Sequence, residues 1–518
     1  MSMDYLIRLV QMHEDFRLAE IRCLASYFRI EIDIVSYSKN SPFLILRILS
    51  YPASKFTSPN VAAKALISRS VLSLGIHELW GMAPKVEGVA TYAALHADVQ
   101  TRTNSGIWAK YKKASFRFSV DAYCGKRSPA EQTEIINGFR YLGFEGPIRM
   151  QNPEVEFTAF EEWNLSFNPN HSRKQHPDLT SQSLVDEPFP DNHPTPQHDP
   201  QTLYFGRLIS SSPRHHLIMK HDLKRRPYIS TTSMDATLAL VSANLAHAGP
   251  GRMLYDPFVG TGGFLVAAAE LGACVWGSDI DGRSFRGAGR GKGGSDGKVG
   301  KKKGGKGGVW RNFEEYGLGD LFGDCFICDL INTPLRTNDG NGWLDGIICD
   351  PPYGVREGLR ILGNREPRTD RIPIMVDGVP AHTLPGYVAP KKPYSFERML
   401  DDILAFAADT LVTDGRLAFW MPSANEDDEE LAIPKRVELE LVECCVQRFH
   451  RWSRRLLVYR RRRKEELKEL DVNGSGQDDE KLKELANGKT ASDLNPFRRK
   501  YFQGFRTRDI IPTRTRAL

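Results

Sequence analysis

The sequence predicts a doubly wound α/β domain in its C-terminal half, preceded by two smaller α+β blocks. Three observations carry this. Residues 253–279 read as strand, glycine loop, helix, strand and acid, the opening unit of a doubly wound sheet. Leu344–Asp350 is a short apolar run ending in Asp350-Pro351-Pro352-Tyr353-Gly354. Two successive prolines lack the N–H groups that a ladder needs, so this strand stops abruptly and presents its acid and ring at the carboxyl edge. Ahead of both, short strand-like runs alternate with helical patterns, as in small α+β sandwiches.

The totals bound the rest. A chain of 518 residues, 41% hydrophobic and 26% charged, has the make-up of a soluble protein of two to four domains. The net charge of +6 is too mild to argue for nucleic acid by itself, so local distribution has to carry that point. No apolar run has the length of a membrane span, and Met1-Ser-Met-Asp-Tyr5 is not a signal peptide; the expected location is intracellular. Cys325 and Cys328 form a lone C-x-x-C without a second pair. They read as core thiols, Cys444 and Cys445 sit in a strand-like run, and no metal site is expected.

In chain order, residues 4–11 alternate as a strand, and Phe16, Ile21, Leu24 and Tyr27 mark one face of a helix. Strands at Ile30–Val35 and Pro42–Leu49, a helix near Val61–Arg69 and an apolar run at Val71–Ile76 complete the first block, 1–80. The second, 81–215, carries a strand at Ser115–Ala122 and strands at Glu154–Phe160 and Leu203–Ile209. Its helix opens at Ser128-Pro-Ala-Glu131, with serine as cap and proline in the first turn. Lys110, Lys112, Lys113, Arg117, Lys126 and Arg127 make this block locally basic, which suits either a solvated face or a surface for RNA phosphates. Asn168–Pro200 is dense in Pro, Asp, Asn and His. The spacing of its histidines is irregular and broken by prolines, which predicts a disordered insertion rather than a metal site.

The third region, 216–518, opens with Thr232 or Ser233 as cap of a helix carrying Leu238, Val241 and Leu245,. Strand Met253–Asp256, the loop Pro257–Gly263, a helix Phe264–Leu271 and strand Cys274–Asp279 follow. Gly260 and Gly262 let backbone pass close to a ligand, and Asp279 lies where an acid can hold ribose hydroxyls. Such a loop equally fits a nicotinamide dehydrogenase or a methyltransferase using S-adenosylmethionine. Asp256 would repel a pyrophosphate but attract an amine, and the third glycine of the dinucleotide fingerprint is absent, which tilts the choice to the methyltransferase. Gly282–Gly308 holds twelve glycines and nine Lys/Arg and is expected to be a disordered basic insertion. A short helix then ends at Asn312–Gly317, and Cys325–Cys328 is a third strand leading to Asp329, whose carboxylate can accept from the adenine amine,. A helix at Ser395–Leu411, strand Arg416–Met421, an antiparallel pair Leu441–Gln447 and Arg455–Tyr459, and a charged helix complete the domain. A further insertion falls at 462–492.

At Asp350–Tyr353 an ionised carboxylate and the Pro351 carbonyl are paired acceptors for an NH2 group, and a tyrosine face suits a nucleobase. The glycine loop, the acids after successive strands and this D-P-P-Y together resemble the S-adenosylmethionine-dependent amino-methyltransferases of nucleobases. Four stretches are similar to the tRNA (guanine-10-N2)-methyltransferase family: Thr232-Ser-Met-Asp235, Asp256–Phe264, Asn312–Gly317 and Ile347–Glu357. The likeness covers nearly the whole chain outside the three insertions, with Leu203–Ile209 resembling the last strand of a THUMP domain.

That resemblance implies a Rossmann-like methyltransferase domain (216–518) behind a ferredoxin-like region (1–80) and a THUMP RNA-binding domain (81–215). It implies S-adenosyl-L-methionine as cofactor, tRNA as substrate, a small zinc-binding activator subunit as heterodimer partner, and a cytoplasmic location. Its catalytic residues are Asp350, Pro351, Pro352 and Tyr353. Its cofactor residues are Thr232, Asp256, Phe258, Gly260, Thr261, Gly262, Asp279, Asp329 and Asp350, and Lys110, Lys112, Lys113 and Arg117 are set against RNA. Two rival readings stand beside it: another nucleobase amino-methyltransferase acting on a different RNA or on DNA adenine, and a non-catalytic RNA-binding subunit.

Overall fold

The structure is a computed structural model that describes residues 3–85, 90–104, 106–163, 200–286, 307–336, 342–354, 359–362, 375–384, 391–423, 433–449 and 452–472. The chain forms two compact units, Met1–His215 and His216–Leu518.

The first unit is built on one seven-stranded sheet. Its elements are β1 (Asp4–Leu9), α1 (Glu14–Phe28), β2 (Glu31–Tyr37), β3 (Phe43–Ser50), α2 (Pro59–Ile67), β4 (Ser73–Pro84), α3 (Tyr92–Thr103), β5 (Phe116–Tyr123), α4 (Pro129–Gly138), β6 (Val155–Glu162) and β7 (Thr202–Ser211). The strand order is β2-β3-β1-β4-β7-β6-β5. The long strand β4 runs through residue 80, so the sheet is continuous from the first sequence block into the second. Around it lie one core with Tyr5, Ile7, Ile21, Leu24 and Leu66 and another with Trp80, Leu95, Phe157 and Phe205. α4 begins as its sequence dictates: Ser128 accepts from the Glu131 N–H while the Glu131 carboxylate accepts from the Ser128 N–H, a reciprocal cap.

α5 (Arg214–His221) crosses from the first unit into the second, which continues with α6 (Ala236–Leu245), β8 (Met253–Asp256), α7 (Gly263–Glu270), β9 (Cys274–Asp279), α8 (Gly282–Arg286), α9 (Val309–Tyr316), β10 (Phe322–Ile327) and β11 (Leu344–Cys349). After it come four short strands, β12 (Arg360–Leu362), β13 (Met375–Val376), β14 (Val379–Pro380) and β15 (Lys391–Pro393). The unit ends with α10 (Phe396–Thr410), β16 (Leu411–Ser423), β17 (Leu439–Arg448), β18 (Ser453–Arg461) and α11 (Lys464–Val472). The main sheet has the order β10-β9-β8-β11-β16-β18-β17. β8 pairs in parallel with both β9 and β11, and β18 pairs antiparallel with β16 and β17. The chain winds outward from β8 to β10 and then returns to β11. The loops after β8 and β11 therefore diverge, leaving a crevice at their carboxyl ends. The sheet packs on α10 through Met399, Ile403, Phe406 and Ala407, the helical spacing read from the sequence.

Two expectations are corrected. α6 is capped by Asp235, whose carboxylate accepts from the Leu238 N–H at 3.1 Å. Thr232 instead lies beside Ser230, and Ser233 meets Thr261; each hydroxyl has a nearer partner than the helix end. The segment read as an insertion from 282 begins with a short helix, α8, which buries Phe285. Residues 287–306, like 164–199 and those beyond 472, lie outside the described residues.

Candidate active site

The glycine loop after β8 is shaped by its own sequence. Gly260 and Gly262 hold φ of 49° and 75°, a left-handed conformation that side chains disfavour. A Cβ on Gly262 would stand 2.6 Å from a methyl carbon of Val309, so α9 fits only against a glycine there. The Val259 N–H donates to the Ser278 carbonyl, tying the loop to β9.

Three carboxylates surround this loop. Asp256 is buried and accepts from the Phe258 N–H at 2.9 Å. Asp279 accepts from the Gly260 N–H at 3.0 Å and from the Asp281 N–H at 2.8 Å. Asp350, directly after β11, keeps 24% of its side chain exposed. Burial raises the pKa of all three above the ordinary carboxylate range, and the charges of Asp279 and Asp350 raise Asp256 further. Desolvated like charges around a backbone cradle fit a cationic ligand. S-adenosylmethionine, with its sulfonium and ammonium groups, is such a ligand.

Phe258 and Thr261 sit on the same loop, Phe258 half-buried and Thr261 buried. Thr232 is exposed beside it, and the hydroxyl that reaches Thr261 belongs to Ser233, at 2.8 Å. Asp329 lies at the end of β10 with its oxygens engaged. Oδ1 accepts from the Asn332 N–H at 2.6 Å, and Oδ2 accepts from the Leu362 N–H at 2.5 Å. Asp329 thereby ties β12 to the sheet edge.

The D-P-P-Y turn places Pro351 inside, Pro352 outside and Tyr353 half-buried, with Gly354 at φ 69°. The Tyr353 hydroxyl donates to Asp350 Oδ1 at 2.6 Å. Its ring stands edge-on to Trp452, with centroids 6.1 Å apart, and Trp452 stacks on Phe449 at 4.5 Å. An aromatic wall from the β17–β18 turn thus borders the acid. From the same hairpin, Arg454 sends Nη1 to within 3.6 Å of Asp350 Oδ2.

Sequence reasoning missed Arg454 and Asn312 as site residues. Asn312 is buried; it accepts from the Tyr228 N–H and donates to the Tyr228 carbonyl, both at 2.9 Å, and donates to the Thr261 carbonyl at 3.4 Å. A polar residue on the apolar face of α9 was its available signal.

The residues set against RNA lie in the first unit. Lys110, Lys112 and Lys113 are exposed. Lys112 pairs with Glu145 at 2.7 Å and Arg117 with Glu156 at 2.5 Å, so both spend part of their charge within the unit. Among the described residues no cluster of His, Cys, Asp or Glu is arranged to hold a metal, and no helix is long and apolar enough to cross a membrane.

Residues 3–181 match the family model described as Tmrp11 THUMP N-terminal domain, and residues 224–288 match an RMKL-like methyltransferase domain. The chain is similar to the tRNA (guanine(10)-N(2))-methyltransferase of Saccharomyces cerevisiae, 39% identical over 88% of this chain and 92% of that one. It is also similar to the enzyme of the same name from Schizosaccharomyces pombe, 32% identical over 96% of each chain. A relative from Bos taurus is 30% identical over 96% of this chain and 95% of its own.

Proposed function

The chain belongs to the tRNA (guanine(10)-N(2))-methyltransferase family, and from that premise we propose how its residues carry out the reaction. The protein methylates N2 of guanine 10 in tRNA and uses S-adenosylmethionine to do so. When bound, the cofactor supplies an electrophilic methyl group on its sulfonium.

The guanine amine is a poor nucleophile because its lone pair is delocalised into the ring. The Asp350 carboxylate and the Pro351 carbonyl accept its two N–H bonds, which holds the nitrogen in place and favours its pyramidal form. This is catalysis by positioning and electrostatics. The base has to leave its stack to reach the turn, and Tyr353, backed by Trp452 and Phe449, is the surface that receives it. Asp350 accepts the proton that the methylated nitrogen sheds. Asp256, Asp279 and the backbone of Gly260–Gly262 hold the cofactor, with Phe258, Thr261 and Thr232 beside them and Asp329 at the adenine end. The observation that carries this assignment is the convergence of Asp256, Asp279 and Asp350 on one sheet edge, each with its pKa raised by burial.

Binding of tRNA falls to the first unit, with 1–80 as the ferredoxin-like region and 81–215 as the THUMP domain, and Lys110, Lys112, Lys113 and Arg117 contribute to phosphate contact. A small zinc-binding activator completes a heterodimer in the cytoplasm. Transfer of labelled methyl to unmodified tRNA transcripts, with and without a candidate activator, tests this reading. Replacing guanosine 10 should remove the label; a label that persists would overturn the substrate assignment. Activity unaffected by any activator would overturn the heterodimer.

A further inference from the structure

The β17–β18 hairpin carries an arginine that the reaction scheme above leaves without a task. Arg454 sits on β18 opposite Gln447 of β17 and Pro422 of β16, with 15% of its side chain exposed. Its guanidinium lies over the Trp420 ring at 4.5 Å and near Phe449 at 5.6 Å. Nε donates to Gln447 Oε1 at 2.7 Å, and Nη2 reaches the Met234 sulfur at 3.1 Å. Trp420 is itself fixed, donating from its indole to Ser242 at 3.1 Å. These partners are neutral, so they orient the guanidinium without neutralising it. Its charge is left to act on Asp350.

We propose that Arg454 is a positioning residue for methyl transfer, a fixed cation that holds the Asp350 carboxylate in its acceptor form and in place for the substrate amine. The proposal rests on Asp350 being the group that accepts the amine.

The geometry separates the two carboxylate oxygens. Oδ1 takes the Tyr353 hydroxyl at 2.6 Å. Arg454 stands 3.6 Å from Oδ2, within ion-pair range but beyond a direct hydrogen bond. Oδ2 therefore feels the positive charge while its lone pairs stay available to an incoming N–H. A guanidinium at 2.8 Å would have consumed the acceptor that the reaction needs. Stacking on Trp420 and the bond to Gln447 hold the group back at this distance, a task suited to the planar arginine fork and not to a lysine ammonium.

Burial works against this acceptor form. It raises the Asp350 pKa, and Arg454 and then the Tyr353 hydrogen bond pull it down. Of the other groups facing Asp350, the Asp256 carboxylate across the loop is a like charge and pushes the same way as burial, and the Cys349 thiol on β11 is neutral at working pH. His450 and Arg451, next along the hairpin, lie outside the described residues. Protonated Asp350 keeps only part of its acceptor capacity, so the rate at saturating cofactor should fall on the acid side of its titration. Without Arg454 that fall should begin at higher pH.

The test compares full-length parent, Arg454→Gln, Arg454→Lys and Asp350→Asn, together with the proposed activator, on unmodified tRNA transcripts at saturating S-adenosylmethionine across pH. Arg454→Gln should lower kcat at neutral pH about 10²-fold, the scale of a reacting group displaced by an ångström. Its KM for tRNA should change less, and its acid limb should move upward. Arg454→Lys should bring the limb back toward that of the parent while recovering only part of kcat. Cofactor binding measured by calorimetry reports whether each variant is folded, and Arg454→Met, an uncharged and unbranched side chain, replaces the glutamine variant if that one is not. A neutral variant with the parent's acid limb overturns the inference, as does equal loss at every pH in the neutral and lysine variants alike. If Asp350→Asn still turns over, the assignment of Asp350 itself fails; if it is inactive and the Arg454 variants follow the parent, only the role of Arg454 fails.

Discussion

The Tyr353 hydroxyl donates to Asp350 Oδ1 at 2.6 Å, so the aromatic ring of the turn is tethered to the acid it flanks. The tether fixes the ring edge-on to Trp452 and helps to lower the Asp350 pKa against burial. The hydroxyl and the ring should separate on mutation. Tyr353→Phe keeps the ring and should retain kcat within a few-fold, with its acid limb displaced to higher pH. Tyr353→Ala removes the stacking face, worth about 1–3 kcal/mol, and should raise KM for tRNA about tenfold or more. Steady-state kinetics on tRNA transcripts across pH distinguish the two, and equal behaviour of both variants would refute the stacking role.

Asp350 itself should separate binding from chemistry. Asp350→Ala removes one of the two acceptors for the amine but leaves the glycine loop, Asp256 and Asp279 untouched. Methyl transfer should be abolished, whereas cofactor affinity, measured by calorimetry, should fall less than it does when Asp256 is neutralised. Retained turnover would remove Asp350 from the mechanism.

The three loop acids predict a conflict between stability and cofactor binding. Burial raises the pKa of Asp256, Asp279 and Asp350. Carboxylates of this kind stabilise the fold at pH below the ordinary carboxylate range and lose that contribution as pH climbs through their raised values. A cationic ligand needs the ionised form, so S-adenosylmethionine affinity should weaken as pH falls through the same window. Asp256→Asn can still accept from Phe258 but carries no buried charge. At neutral pH it should melt about 2–4 °C higher without ligand and bind the cofactor about 1.5–3 kcal/mol more weakly. Thermal scans and calorimetry on one preparation check both halves.

The parts of the site legible in the sequence are those encoded locally. The turn at Asp350–Tyr353, the left-handed glycines and the acid ending β9 each follow from a few adjacent residues, as does the reciprocal cap at Ser128 and Glu131. What was not legible depends on segments that meet only after folding. Arg454 approaches Asp350 because β18 lies beside β16 in the sheet, an order that hydrophobic patterning does not encode. Asp329 is the expected acid at the expected strand end, yet Asn332 and the backbone of β12 reach it. The cap of α6 illustrates competition at close range. Thr232, Ser233 and Asp235 are all suitable residues, and the choice fell to Asp235 because Ser233 has Thr261 as partner.

Asn312 is the clearest case of a residue whose importance appears only in three dimensions, and it carries the last prediction. Its amide joins the backbone of Tyr228, two elements before the glycine loop, to the Thr261 carbonyl within that loop. Asn312→Ala removes three hydrogen bonds at a buried site and leaves a cavity. Each unmade buried partner costs about 1–3 kcal/mol, so the variant should melt several degrees lower. A purely structural role would end there. Because the amide also holds Thr261, cofactor affinity should fall together with stability, and amide exchange across residues 259–263 should quicken. Asn312→Asp offers a sharper comparison. It can still accept from the Tyr228 N–H but turns an acceptor oxygen toward the Tyr228 and Thr261 carbonyls, so it should rescue neither property. A variant that melts lower yet binds S-adenosylmethionine as the parent does would reduce Asn312 to a core residue.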